Sequence, residues 1–211
     1  MSVEAKICGL STPETVDAAV RFGARYVGFV TYSPSPRHVA TDVLEALGAR
    51  VPSGVTKVGL FVDADDDLLG QRLATGAIDL LQLHGSETPP RLAAIKQRFG
   101  KPVMKAIKVA EARDIERGIE DYAGVADRLM FDAAEGTLPG GNAAAFDWTM
   151  LSGRVVVLPW FLAGGLTPDN VVEAVRVTGA HAVDVSSGVE SARGVKSTEL
   201  IRAFLDRVKA L

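Results

Sequence analysis

The sequence predicts an α/β chain of 211 residues folded as a single (β/α)8 barrel of the TIM type, with eight parallel strands inside and helices outside. Three observations carry that expectation. Short apolar or β-branched runs alternate with amphipathic stretches, eight such runs occur, and no Pro/Gly/Ser-rich linker or low-complexity tract divides residues 1–211. A doubly wound open sheet uses the same units, but no GxGxxG follows the first strand.

The strands are read at Ala5–Cys8, Tyr26–Thr31, Thr56–Val62, Asp79–His84, Val103–Val109, Arg128–Asp132, Phe161–Gly164 and Ala182–Ser186. Several are nearly continuous in apolar residues, as in Tyr26-Val27-Gly28-Phe29-Val30, which suits parallel strands covered on both faces. Between them lie helical patterns at Pro13–Phe22, Asp42–Arg50, Asp66–Thr75, Pro89–Phe99, Ala112–Tyr122, Pro168–Val177 and Thr198–Lys209. Three of these open on Thr12-Pro13, Thr88-Pro89 and Thr167-Pro168. Each pairs an N-cap residue with a proline at the first helical position.

Composition narrows the function. With 23 basic and 26 acidic residues the net charge is −3, which argues against a broad basic face for nucleic acid. No run of ~18 apolar residues suggests a membrane span, and the start MSVEAKICGL lacks a signal-peptide pattern. A single cysteine excludes an intrachain disulfide, and with three histidines it disfavours a dedicated zinc site. Composition points to a cytoplasmic protein; action on a small molecule, as a monomer or homodimer and without a metal or organic cofactor, is what the family resemblance set out below implies.

In such a barrel the chemistry sits at the C-terminal strand ends. Those ends carry Cys8-Gly9, Ser35-Pro36-Arg37, Asp63, His84-Gly85, Lys108, Asp132, Gly164-Gly165 and Ser186-Ser187-Gly188. The last two groups mark a phosphate site, because glycines let backbone N–H groups approach an anion and loops seven and eight are where barrels often bind phosphate. Tight turns alone also account for each glycine pair.

A lone cysteine is most often a small buried hydrophobe. Here Cys8 ends the first strand, and period-two alternation puts Lys6 on its side. An ammonium there favours the thiolate that a general base requires. Closure brings the last strand alongside, so Lys6 is expected to pair with Asp184 in the barrel mouth. Asp132 closes the apolar run Leu129-Met130-Phe131; it reads either as a capping carboxylate or, partly buried, as a proton donor. Arg37 follows two prolines that stiffen its loop, and its guanidinium is suited to a planar carboxylate. His84 is either a substrate contact or a hydrogen-bonded histidine at the core edge, whereas His38 and His181 read as structural or exposed. A thiol base with a carboxylic acid suggests proton relocation rather than hydrolysis.

The motifs Lys6-Ile7-Cys8-Gly9-Leu10, Gly28-Phe29, Ser35-Pro36-Arg37, Val58-Gly59-Leu60-Phe61-Val62, Leu81-Gln82-Leu83-His84-Gly85, Phe131-Asp132, Phe146-Asp147-Trp148, Leu162-Ala163-Gly164-Gly165-Leu166 and Asp184-Val185-Ser186-Ser187-Gly188-Val189-Glu190 together resemble the phosphoribosylanthranilate isomerase family, in the family's order. The resemblance implies an Amadori rearrangement in tryptophan biosynthesis, converting N-(5-phosphoribosyl)anthranilate to 1-(2-carboxyphenylamino)-1-deoxyribulose 5-phosphate. It implies Asp132 as the acid that opens the furanose ring and Cys8 as the base that removes the C2′ proton. It also implies Arg37 at the anthranilate carboxylate, phosphate at the loops of Gly164, Gly165, Ser186, Ser187 and Gly188, and no cofactor. The stretch Ala133–Ala145, with Gly140-Gly141-Asn142, departs from the commoner family pattern and reads as a mobile lid over the anthranilate ring. Other readings are a different phosphate-binding barrel isomerase or epimerase, or a non-catalytic phospho-ligand barrel.

Overall fold

The structure, a computed structural model, describes residues 2–133 and 147–211. The stretch expected to form the lid therefore lies outside the described residues beyond Ala133.

Strands β1 (Glu4–Cys8), β2 (Tyr26–Val30), β3 (Thr56–Phe61), β4 (Leu80–Leu83), β5 (Val103–Val109), β6 (Arg128–Ala133), β7 (Trp160–Leu162) and β8 (Ala182–Val185) close in that order into one barrel. Every neighbouring pair is parallel, and the seam between β1 and β8 is set by the register Lys6↔Asp184. Around it lie α1 (Pro13–Arg21), α2 (Thr41–Gly48), α3 (Asp66–Leu73), α4 (Pro89–Phe99), α5 (Ala112–Tyr122), α6 (Val171–Thr178) and α7 (Thr198–Lys209). A 3-10 turn at Trp148–Leu151 precedes β7. A small antiparallel hairpin, β9 (Glu190–Ala192) with β10 (Val195–Lys196), stands between β8 and α7; nothing in the sequence pattern announced it.

The period-two alternation of each strand divides the core in two. Tyr26, Val58, Leu80, Met104, Ala106, Met130, Phe161, Ala163 and Ala182 fill the barrel interior. Alternate positions such as Ile7, Phe29, Phe61, Leu81, Phe131 and Leu162 pack outward against Leu44, Leu69, Leu92, Ile115 and Phe204 of the helices. Both strand faces are thus apolar, which is why the strand sequences run almost without polar interruption.

Helix starts follow the sequence at α1, where the Thr12 hydroxyl accepts from the Thr15 N–H at 3.4 Å, and Pro89 stands in the first turn of α4. The third Thr-Pro behaves differently. Helix α6 begins at Val171 rather than Pro168, because Asn170 commits its side chain to the loop before it. Its Oδ1 accepts from the Thr167 N–H at 2.8 Å and its Nδ2 donates to the Gly165 carbonyl at 2.8 Å. Such local side-chain bonds compete with the helix. Strands β7 and β8 likewise stop short of Gly164 and Ser186; Gly164 turns to φ 84° and leaves the ladder.

The interior packing is testable at Phe161, which is 1% exposed and meets the Tyr26 ring edge-on at 5.0 Å. Replacement by alanine opens a cavity on the barrel axis, and urea unfolding should show a loss of about 3–5 kcal/mol. A loss below ~1 kcal/mol would mean that this ring is not a core element.

Candidate active site

The barrel interior changes character toward the C-terminal strand ends. Above the apolar plug the inward positions become Lys6, Gln82 and Asp184, all buried, and then Cys8, His84 and Asp132. Lys6 has no solvent exposure, and its Nζ donates to Asp184 Oδ1 at 2.8 Å, the pair the sequence anticipated. Burial opposes the Lys6 charge, yet Asp184 and Cys8 together hold its pKa above the usual lysine value.

Cys8 pairs in register with Gly28 on β2. A Cβ at Gly28 would lie 3.0 Å from Lys6 Nζ and 3.1 Å from Cys8 Sγ. The missing side chain is what lets thiol and ammonium share this corner. Lys6 favours the Cys8 thiolate, as the sequence reading holds, but it is not the largest influence on the thiol. Burial pushes the Cys8 thiol pKa up, and although Lys6 pulls it down, Asp184 adds to the rise. The ammonium is present, but its counter-ion and desolvation outweigh it in the unliganded molecule.

On the opposite wall, His84 Nε2 lies 3.0 Å from Asp132 Oδ2, and Gln82 Nε2 lies 3.0 Å from His84 Nδ1. With the Gln82 amide donating to Nδ1, the His84 proton sits on Nε2 and is donated to the carboxyl. The histidine and the carboxyl are partly exposed, 19% and 24%, so they form the wall of an accessible mouth. Of the two readings of His84, the hydrogen-bonded one is present, and its partner is the candidate acid itself.

Arg37 is held by a residue to which the sequence reading gave no role. Its Nε and Nη2 donate to Glu190 at 2.6 and 2.8 Å, and Nη1 has no hydrogen-bond partner among the described residues. Glu190 also accepts from Lys196 Nζ at 2.6 Å and from the Gly194 N–H at 3.0 Å. Lys196 in turn reaches the Ser186 carbonyl at 3.0 Å. The β9–β10 hairpin therefore braces the Arg37 loop against the end of β8. Gly9, at φ 79°, gives the Arg37 chain room to pass; a Cβ there would stand 2.7 Å from Arg37 Cδ. Asp63 ties the β4 loop through Ser86, and Lys108 is exposed across from Asp132 in the β5–β6 register.

The seven–eight loop pair is shaped by glycine. Gly164 and Gly165 have φ 84° and 67°, and a Cβ on Gly188 would fall 1.9 Å from the Leu166 carbonyl oxygen. Only glycine lets these loops come so close. Among the described residues the N–H groups of Gly164 and Gly165 have no hydrogen-bond acceptor.

A family profile described as N-(5'phosphoribosyl)anthranilate (PRA) isomerase matches residues 5–207. The chain belongs to the N-(5'-phosphoribosyl)anthranilate isomerase family. It is 55% identical over 208 residues to the N-(5'-phosphoribosyl)anthranilate isomerase of Paramagnetospirillum magneticum, covering 97% of this chain and 96% of that one. Among solved structures it resembles the Thermotoga maritima phosphoribosyl anthranilate isomerase, with a TM-score of 0.88 at 32% identity over 99% of this chain and 100% of that one. It also resembles a phosphoribosyl anthranilate isomerase in complex with reduced 1-(o-carboxyphenylamino)-1-deoxyribulose 5-phosphate, with a TM-score of 0.86 at 32% identity and the same coverage. As an isomerase of this family, the chain carries Cys8, Asp132, Arg37, His84 and Asp184 at one end of its barrel. Gln82 holds His84, Glu190 and Lys196 hold Arg37, and Asn170 holds the loop of Gly165, although the sequence alone gave no sign of these partners. Among the described residues no cluster of three or more His, Cys, Asp or Glu could hold a metal ion, and no helix is long and apolar enough to cross a membrane.

The Glu190 bracket has a pH signature. Burial disfavours its charge, but Arg37, Lys196 and the Gly194 N–H hold its pKa down to about 2, against about 4.3 in an unfolded chain. The stabilisation is therefore complete above the unfolded value and is lost as pH falls through the folded one. Glu190→Gln should be less stable than wild type at pH 7, with a deficit that shrinks between about pH 4.3 and pH 2. Thermal unfolding across that range measures it; a deficit that does not change with pH would mean that the carboxylate charge is not what braces the loop.

Proposed function

We propose that this isomerase converts N-(5'-phosphoribosyl)anthranilate to 1-(2-carboxyphenylamino)-1-deoxyribulose 5-phosphate by an Amadori rearrangement, with Asp132 as general acid and Cys8 as general base. The observation that carries the reading is the meeting, at one barrel mouth, of a thiol backed by an ammonium with a carboxyl backed by an imidazole.

In this reading Asp132 accepts the His84 N–H on Oδ2 and delivers its proton from the other oxygen to the furanose ring oxygen. The C1′–O bond breaks and a protonated imine forms. Cys8 releases its thiol proton to solvent and, as thiolate, takes the proton from C2′; the C2′–H electron pair moves toward the imine nitrogen to give an enolamine that tautomerises to the ketone. Lys6 supports the thiolate, and the imine's positive charge adds to it once the ring has opened. That arrival of charge offsets the desolvation that keeps the thiol protonated beforehand.

The substrate's two anionic ends have distinct receptors. Arg37, its Nε side occupied by Glu190, offers the Nη1–Nη2 edge to the anthranilate carboxylate in bidentate form. Gly164, Gly165, Ser186, Ser187 and Gly188 cradle the phosphate through backbone N–H groups, which need no side-chain cation. The product and the acid–base pair together require no metal or organic cofactor, since the reaction only relocates protons. This places the enzyme in tryptophan biosynthesis.

Cys8→Ala and Asp132→Asn should each lower kcat by a factor of about 10² to 10⁴ while leaving the thermal unfolding profile close to wild type. The assay is the loss of fluorescence as freshly made phosphoribosylanthranilate is consumed. Near-normal kcat in either variant would end the acid–base assignment. Arg37→Ala should mainly raise KM, and an unchanged KM would remove Arg37 from the carboxylate site.

A further inference from the structure

The end of β4 is held by a buried ion pair to which the acid–base chemistry gives no role. Lys105 on β5 is 3% exposed and Glu87, just ahead of α4, is 5% exposed. Lys105 alternates with Met104 and Ala106, which fill the barrel interior, so it points away from the mouth. Its Nζ donates to Glu87 Oε2 at 2.7 Å. The other acceptors of the ammonium are the carbonyls on either side of His84, those of Leu83 at 3.4 Å and Gly85 at 2.6 Å.

Glu87 completes the enclosure. Its carboxylate accepts from the Gly85 N–H at 3.0 Å and from the Asp63 N–H at 2.9 Å. Its own carbonyl accepts from the Tyr122 hydroxyl at 2.9 Å, and the His84 N–H donates to the Phe61 carbonyl at 2.8 Å. Asp63, at φ 47°, is the one non-glycine residue at positive φ among the described residues. Such a conformation persists where its surroundings over-determine it. Here the Asp63 carboxylate accepts from the Ser86 N–H at 2.7 Å, and a Cβ on Gly85 would fall 2.5 Å from Asp63 Cγ.

Stability alone does not call for these charges, since an apolar pair of similar volume is often as good or better. What an apolar pair could not do is hold two carbonyls and two N–H groups around one residue. That residue is His84, whose Nε2 lies 3.0 Å from Asp132 Oδ2. We propose that Lys105 and Glu87 are positioning residues for the isomerisation: by fixing the backbone on both sides of His84 they set the imidazole that orients Asp132. The inference rests on the acid role given to Asp132 above.

The test compares the full wild-type chain with Glu87→Gln, which keeps the size of the side chain. In either orientation its NH2 group meets a donor, the Asp63 N–H or the Lys105 ammonium. With freshly made phosphoribosylanthranilate, kcat should fall by about 10- to 10²-fold while KM changes little. In a His84→Ala background the same substitution should lower kcat no further, because the residue it acts through is gone. The ring 15N shifts of His84 give a second readout: one tautomer, protonated on Nε2, is expected in wild type and a mixture in Glu87→Gln. An unchanged kcat, with or without a lower Tm, marks a pair that serves stability alone and overturns the proposal. So does a loss that multiplies with that of His84→Ala. Should Glu87→Gln fail to fold, Lys105→Met combined with Glu87→Met removes both charges together and takes its place. Failure of that variant to fold as well makes the pair a folding element and overturns the proposal. Asp132→Asn separates this inference from the reading beneath it. Near-normal kcat there removes the acid itself, whereas an inactive Asp132→Asn beside an unaffected Glu87→Gln removes only the positioning pair.

Discussion

The ion pair between Lys6 and Asp184 sits where the barrel closes, and the active end is organised around it. A lysine with no exposed surface must be matched, and the β1–β8 register places the carboxylate directly across the seam. Slipping that register by one residue would turn Lys6 and Asp184 to opposite faces of the wall, leaving one charge among the outer apolar side chains. The pair thus penalises every closure but the observed one. Such pairs are often no more stabilising than an apolar substitute, so its value lies in specificity and in the field it creates beside Cys8.

That field is not simply positive. Lys6 favours the thiolate, while burial and Asp184 disfavour it more strongly, so the thiol is held protonated rather than pre-ionised. A general base set this way gains most from a substrate that brings its own positive charge. The other wall follows the same logic with opposite sign: a histidine bonded to the carboxyl fixes one oxygen and leaves the second for the reacting atom. Two modest dyads, each tethered by a buried polar neighbour, replace the deep triads that hydrolysis would call for.

Much of this was legible in the sequence, for physical reasons that differ from residue to residue. Strand order and the inward placement of Cys8 and Asp132 follow from local periodicity, which needs no knowledge of partners. Lys6–Asp184 was accessible because closure of an eight-stranded barrel forces the first and last strands together. The role of Glu190 was not, since it depends on a short hairpin whose fold comes from the Arg37 and Lys196 contacts and not from its own pattern. The start of α6 misled for a related reason: Asn170 outcompetes a strong Thr-Pro signal by bonding backward to Gly165 and Thr167. The protonation of Cys8 could not be read either, because it is a difference between desolvation and two opposed charges.

The loop between β2 and α2 carries the consequence furthest. Arg37 is clamped from one side by Glu190, and its neighbour His38 meets Arg72 on the other. Val30 and His38 also form an isolated parallel bridge, and the Val39 N–H donates to the Val30 carbonyl at 2.9 Å, so the segment is pinned at its base. A loop pinned at the base and gripped on both flanks transmits a change at one flank to the other more readily than a free loop. The Arg37 guanidinium is thus set by contacts on both sides of its loop before any ligand arrives, which lowers the ordering cost of binding there.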